Sequence, residues 1–195
     1  AREMPGVVAI FPTERGVAVV AEKYWQARRA AATVEVAWGE GLIEGFDSDQ
    51  VRALAAERLR APGASNVRDD GDVTRALRRD DVTTVEATYD TPYLAHAPME
   101  PQNCTAHFRG DALEIWAPTQ AQTMAKTIGA RLTGLPRERI TVHTTFLGGG
   151  FGRRGLADFV GDAVLIAREL ERPVQVIWSR EDDTRGCYYR PQSHH

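Results

Sequence analysis

The run Gly148-Gly149-Gly150-Phe151-Gly152-Arg153-Arg154 is the stretch of this sequence best suited to hold a ligand. Glycines remove side chains from the backbone, permit positive φ and leave N–H groups able to turn toward an anionic group. A strand-like segment, residues 139–147, leads into the run, and a helix-like segment, residues 157–170, leaves it. The Walker pattern requires Lys followed by Ser or Thr at the end of such a loop, and here Arg153-Arg154-Gly155 stand instead. The dinucleotide pattern can be laid on Gly150–Gly155, but it puts Phe151 and Arg153 in the tight turn. It also finds no acidic residue near the tip of the strand at 176–178. A plain tight turn would need one glycine rather than this series.

Other residue types could do chemistry on their own. Gln120, in Ala117-Pro118-Thr119-Gln120-Ala121, is expected in the first turn of a helix that follows a strand, where an amide stands beside free helix N–H groups. His96 and Glu100 form an acid–base pair or, in the blander reading, anchor a proline-rich loop. Arg153 and Arg154 either clamp a phosphate or lie solvated ahead of a helix. Cys104 and Cys187 are too few for a disulfide framework and lack metal-ligand spacing, so they read as buried or free thiols. The charged turn Trp178–Asp183 reads as structural.

The elements that must position these groups alternate along the chain. Residues 7–11 and 17–20 read as strands, 22–32 as an alanine-rich helix and 33–38 as a half-buried strand. A glycine-rich turn then leads to the cap cluster Asp47-Ser48-Asp49, a helix over 50–59 and a stop at Pro62-Gly63. The charged stretch 68–72 reads as a solvated turn. Residues 83–89 and 112–117 read as strands, separated by an irregular loop with three prolines across 92–101. Thr119 is expected to cap a helix that runs to Leu132 and ends at Gly134 and Pro136, and residues 174–178 form a last strand. Two units are expected, joined near residue 82.

The chain has 195 residues and a net charge of -3, so nothing in its charge argues for a nucleic-acid surface or an anionic membrane. No apolar run approaches the ~20 residues of a membrane span. Its opening residues, Ala1-Arg2-Glu3-Met4-Pro5, resemble neither an initiator segment nor a signal peptide, so a longer parent is expected. An export signal upstream would make that parent periplasmic. His194-His195 reads as a tag remnant.

Taken together, Tyr93–Cys104, Trp116–Gln120, Gly148–Arg154 and Trp178–Asp183 resemble the molybdenum hydroxylases, the family of xanthine dehydrogenase and the aldehyde oxidoreductases. The similarity is greatest to the large, molybdopterin-bearing beta subunit of the isoquinoline 1-oxidoreductase type. It implies a mixed, α+β fold. Residues 1–81 would be a hammerhead-like α/β domain truncated at its start, and residues 82–193 the first part of a molybdopterin-binding domain. Gln120 matches the glutamine whose amide approaches a molybdenum oxo ligand, and Phe151 and Gly152 match residues that line the metal and cofactor. Gly149, Gly150 and Arg153 complete the expected cofactor-binding set. Neutral amide donors suit such an anionic group without competing as metal ligands.

The resemblance further implies a molybdenum–molybdopterin cofactor in its cytosine dinucleotide form, a small iron–sulfur (2Fe–2S) subunit and a cytochrome as electron acceptor. The parent would hydroxylate an N-heteroaromatic substrate or oxidise an aldehyde, with water as the oxygen source. Xanthine dehydrogenases carry a purine-orienting glutamate just after the loop, where this chain has Gly155, which disfavours purines. The family's general-base glutamate would lie beyond residue 195, so no catalytic residue is expected within this stretch, which should be inactive alone. The alternatives from the residues themselves are a non-catalytic anion- or nucleotide-binding module and a purely structural interaction domain.

Overall fold

The computed structural model describes residues 1–39, 45–63 and 65–195; part of the glycine-rich turn expected before Asp47 lies outside them. Along the chain run β1 (Val7–Thr13), β2 (Gly16–Ala21), α1 (Tyr24–Ala31), α2 (Ser48–Arg60), α3 (Val73–Leu77), β3 (Asp90–Thr91) and β4 (Asn103–Phe108). They are followed by β5 (Leu113–Ala117), α4 (Gln122–Thr133), β6 (Ile140–Thr144), α5 (Asp158–Leu170), β7 (Val174–Ile177), α6 (Arg180–Arg185) and β8 (Ser193–His194). This mixture of helix and sheet is the α+β class expected. Among the described residues no helix is long and apolar enough to cross a membrane.

The elements fall into two compact units, Ala1–Gly39 with Ala95–Tyr188, and Glu40–Leu94 with Tyr189–His195. The boundary expected after residue 81 therefore falls inside the second unit. In the first, a sheet of order β6-β5-β4-β7 pairs β5 in parallel with β6 and sets β4 antiparallel to both β5 and β7. Side chains alternate along a strand, so Cys104, Ala106, Leu113, Ile115 and Ala117 share one buried face. Helix α5 covers that face because Phe159, Val160, Ala163, Val164 and Ala167 recur at helical spacing, and all five are fully buried. Each large apolar side chain so buried contributes roughly 1.5–3 kcal/mol. Gly129 lets α4 approach the sheet closely, since a Cβ there would stand 2.9 Å from Leu113 Cδ2. Strand β4 was not anticipated, although Cys104 and Ala106 carry the alternation that buries it. The hairpin β1–β2 turns through Glu14-Arg15, with Thr13 opposite Gly16. Residues 33–38, expected as a strand, join no ladder among the described residues.

The second unit holds no buried residue among those described. Helix α2 starts as expected: Asp47 accepts from the N–H groups of Asp49 and Gln50, and Gln50 returns a bond to Asp47 N–H. Asp72, the last residue of the stretch that reads as a solvated turn, caps the short α3, a helix with no counterpart in the sequence expectation. Residues 83–88, within the stretch read as a strand, join no ladder among the described residues; pairing comes only at Tyr89, which exchanges backbone bonds with His195, at β3 with β8, and at the Leu94–Arg190 bridge. Val85 is 85% exposed there, because a strand-forming composition finds neither partner nor core. The terminal residues expected to be a tag remnant join this pairing, with His194 opposite Asp90 and bonded to it through Nδ1.

Candidate functional site

Because β5 and β6 are parallel neighbours, the connections that follow them leave the same end of the sheet. In open α/β sheets that end is where ligands bind. The connection after β5 carries Pro118-Thr119-Gln120, and the one after β6 carries the glycine run. They meet. Gln120 N–H donates to the Arg154 carbonyl at 3.0 Å, and Gln120 Oε1 accepts from Gly152 N–H at 3.1 Å. With its oxygen engaged, the amide's N–H pair is the end available to donate to a ligand. Helix α4 begins two residues after Gln120, with Ala121 as its cap. Gln120 thus precedes the helix instead of lying in its first turn. Thr119 Oγ1, expected to cap that helix, accepts from Ala121 N–H at 3.0 Å and donates to the Arg154 carbonyl at 3.1 Å.

The loop is braced at its ends and open in its middle. Gly148 N–H donates to Glu100 Oε2 at 2.8 Å, and Arg153 N–H donates to the Gly150 carbonyl at 2.9 Å. Among the described residues, the N–H groups of Gly149, Gly150 and Phe151 donate to no other residue. A Cβ at Gly150 would fall 2.6 Å from Gln120 Oε1, so a side chain there would displace the amide from its place on the loop. Gly152 is required by its φ of 89°. Phe151 holds a φ of 52°, a strained value for a bulky residue, with its ring 59% exposed.

Neither arginine is solvated. Arg154 is fully buried and its guanidinium donates to the carbonyls of Gly149, Pro118, Glu100 and Pro101 and to Glu100 Oε2. Burial lowers its pKa despite the opposing charges of Glu100 and Asp183. Arg153, 1% exposed, makes a two-pronged pair with Asp158 at 2.8 Å on each oxygen, its guanidinium near the rings of Trp178 and Tyr188. Arg15, at the turn of the hairpin, adds a third bond to Asp158 Oδ2 at 2.8 Å. Burial alone would push Asp158 up, but the bonds and charges of Arg153 and Arg15 hold it below the usual carboxylate range. One helical turn on, burial pushes Asp162 up; Arg15 opposes this and Asp158 adds to it.

Glu100 is an anchor: Oε1 accepts from Asn103 Nδ2 at 2.7 Å, while Oε2 takes Gly148 and Arg154. Its carboxylate is committed to these groups, which is the blander of the two readings for the His96–Glu100 pair. Asp183, in α6, is buried and accepts from Gln102 and Arg180, a structural role. Cys104 and Cys187 are buried free thiols, and burial, aided by the charge of Asp162, pushes Cys104 to about 12. Arg15 and Asp158 escaped the sequence reading, since 143 residues separate them. A cleft of about 1260 Å³ in this unit is lined by β2, α1 and β7 but by no residue of the glycine loop.

The sequence profile of the molybdopterin cofactor-binding domain matches residues 59–194. This chain belongs to that family. It is 31% identical over 204 residues to the isoquinoline 1-oxidoreductase beta subunit of Brevundimonas diminuta, covering 97% of this chain and 25% of that protein. It is 32% identical over 177 residues to the aldehyde oxidoreductase molybdenum-binding subunit PaoC of Escherichia coli, covering 89% of this chain and 23% of that protein. In structure it is similar to quinoline 2-oxidoreductase from Pseudomonas putida 86, with a TM-score of 0.70, 20% identity and coverage of 98% of this chain and 30% of that one. The chain therefore spans about a quarter of the length of these relatives. These matches identify it as a portion of a molybdenum hydroxylase large subunit, and they do not favour the alternative of a non-catalytic anion or nucleotide module. Burial of both arginines argues the same way, because neither guanidinium can clamp a phosphate without leaving its ion pair.

The residues present suit a molybdopterin group. Three unengaged N–H groups and the Gln120 amide form a donor set for anionic oxygens, on a loop kept bare of side chains at Gly150. No group of three or more His, Cys, Asp or Glu among the described residues could hold a metal, so the donors stand without competing protein ligands.

Proposed function

We propose that this chain is part of the large subunit of a molybdenum-dependent oxidoreductase, and that Gln120 with Gly149–Arg153 forms one wall of its cofactor site. When bound, the cofactor supplies the two-electron chemistry that adds oxygen from water to a substrate. The chain's own contribution is positional. Gln120 and the N–H groups of Gly149, Gly150 and Phe151 donate to the cofactor's anionic face, and Gly152 keeps the Gln120 amide aimed. Arg153 acts from behind, by fixing the loop against Asp158. The observation that carries the reading is the bond from Gly152 N–H to Gln120 Oε1 at 3.1 Å, which joins the two connections and turns the amide's donors outward.

In this reading residues 1–81 are hammerhead-like and 82–193 open the cofactor-binding domain, even though hairpin β1–β2 shares a compact unit with residues 95–188. The substrate is an N-heteroaromatic compound or an aldehyde. Relatives bear the names of isoquinoline, nicotinate and aldehyde enzymes, and Gly155 offers no carboxylate to orient a purine. The cofactor is the cytosine dinucleotide form, and the electron partners are a small 2Fe–2S subunit and a cytochrome. Gln120→Ala in the full-length subunit tests the assignment. Turnover of quinoline-type and aldehyde substrates should fall about a hundredfold, the usual cost of losing one preorganised donor. Unchanged turnover would remove Gln120 from the site.

A further inference from the structure

We propose that Arg15, at the tip of the β1–β2 hairpin, is a positioning residue for the glycine loop and acts through Asp158 and Arg153. This rests on the reading of the loop as a cofactor wall. The hairpin lies outside the residues matched by the family profile, which begin at 59. Yet Arg15 Nη1 reaches Asp158 Oδ2 at 2.8 Å, and that carboxylate takes Arg153 on both oxygens at 2.8 Å. Asp158 is 8% exposed and the Arg153 side chain not at all, so their pair is formed out of water, where screening is weak; Arg15, 35% exposed, reaches the same carboxylate from the rim.

Two cations on one carboxylate repel one another. The face of Trp178 offsets part of that repulsion, its ring centroid lying 5.5 Å from each guanidinium carbon. Asp162, one turn along α5, adds a second negative group facing Arg15 and Arg153. The arrangement leaves Asp158 a single orientation, and with it Arg153. Arg153 N–H holds the Gly150 carbonyl, and the preceding residue, Gly152, holds Gln120. Hairpin, carboxylate, arginine, loop and amide thus form one bonded chain within the first unit.

The test is the solvent exchange of single amides, followed by mass spectrometry on the full-length subunit purified without cofactor. In Arg15→Ala, exchange at Gly152 and Arg153 should quicken about tenfold, while amides of β4 and β5 keep their rates. Arg15→Lys, which returns a cation to Asp158, should restore most of the protection, whereas Arg15→Met, of similar bulk without the charge, should not. Unchanged rates at Gly152 and Arg153 would overturn the proposal. So would equal quickening in β4 and β5, or failure of Arg15→Lys to restore protection where Arg15→Ala loosens the whole unit. No cofactor enters this measurement. Its failure would leave the cofactor reading standing, and a full-length subunit without molybdenum would leave the clamp standing.

Discussion

Val85 and Ile115 are both β-branched residues in runs that read as strands, and they meet opposite fates. Ile115 sits in β5 between two ladders and beneath helices, fully buried. Val85 lies in a stretch with no ladder and is 85% exposed. The same contrast holds for charge. Arg154, in the unit of Ala95–Tyr188, is enclosed with five acceptors, whereas Arg79, in the other unit, pairs with Asp81 in solvent. Propensity and charge acquire structural weight only where a sheet and its covering helices exclude water. The glycine loop is in the unit that does so, and that is why its braces can be ion pairs.

Removing the enclosed arginine should give the largest effect. Arg154→Ala removes the cation facing Glu100 and a donor from each of several carbonyls, and should cost about 3 kcal/mol in urea unfolding. Arg79→Ala should leave the same curve unchanged, and equal effects would break the contrast. Ile115→Val should cost roughly 0.5–1.5 kcal/mol through the lost methylene, whereas Val85→Ala should stay within about 0.5 kcal/mol.

The smallest effect concerns pH. Asp158 is held low in the folded state, so its contribution is present above its unfolded pKa and is lost as pH falls through the folded value. Asp162 is held high, so it contributes the opposite slope and adds stability as pH falls through its folded pKa. Asp158→Asn should therefore flatten the acid-induced loss of stability seen in unfolding curves from neutral to acidic pH. Asp162→Asn should steepen it.

Much of this was legible locally. Helices α2, α4 and α5 announce themselves through periodicity, and Asp47 and Gly134 mark a start and a stop, as expected. The glycine run is legible because few other needs explain so many glycines between a strand and a helix. Strand β4 is hard to see although Asn103, Thr105 and His107 alternate with Cys104, Ala106 and Phe108, because two of its three apolar residues are small and it follows a proline-rich loop; residues 83–89 mislead because pairing depends on a partner that composition does not encode. Arg153 and Arg154 were left open between solvent and ligand, and the structure turns both inward. Their acceptors, Asp158 and Gly149 aside, come from segments around 100 and 118, and Arg15 comes from farther still. Such contacts are fixed by topology, and no local pattern reports them.

The central claim is that the loop between β6 and α5, closed on Gln120, forms a wall of a molybdenum cofactor site. The most direct test is the molybdenum content of the purified full-length subunit, wild type beside Gly150→Val and Val85→Ala. A side chain at Gly150 would strike the Gln120 amide, which a Cβ alone would approach to 2.6 Å. The account predicts stoichiometric molybdenum in the wild type and in Val85→Ala, and little in a folded Gly150→Val protein. A wild-type subunit without molybdenum, or a Gly150→Val subunit that keeps its full complement, would contradict it.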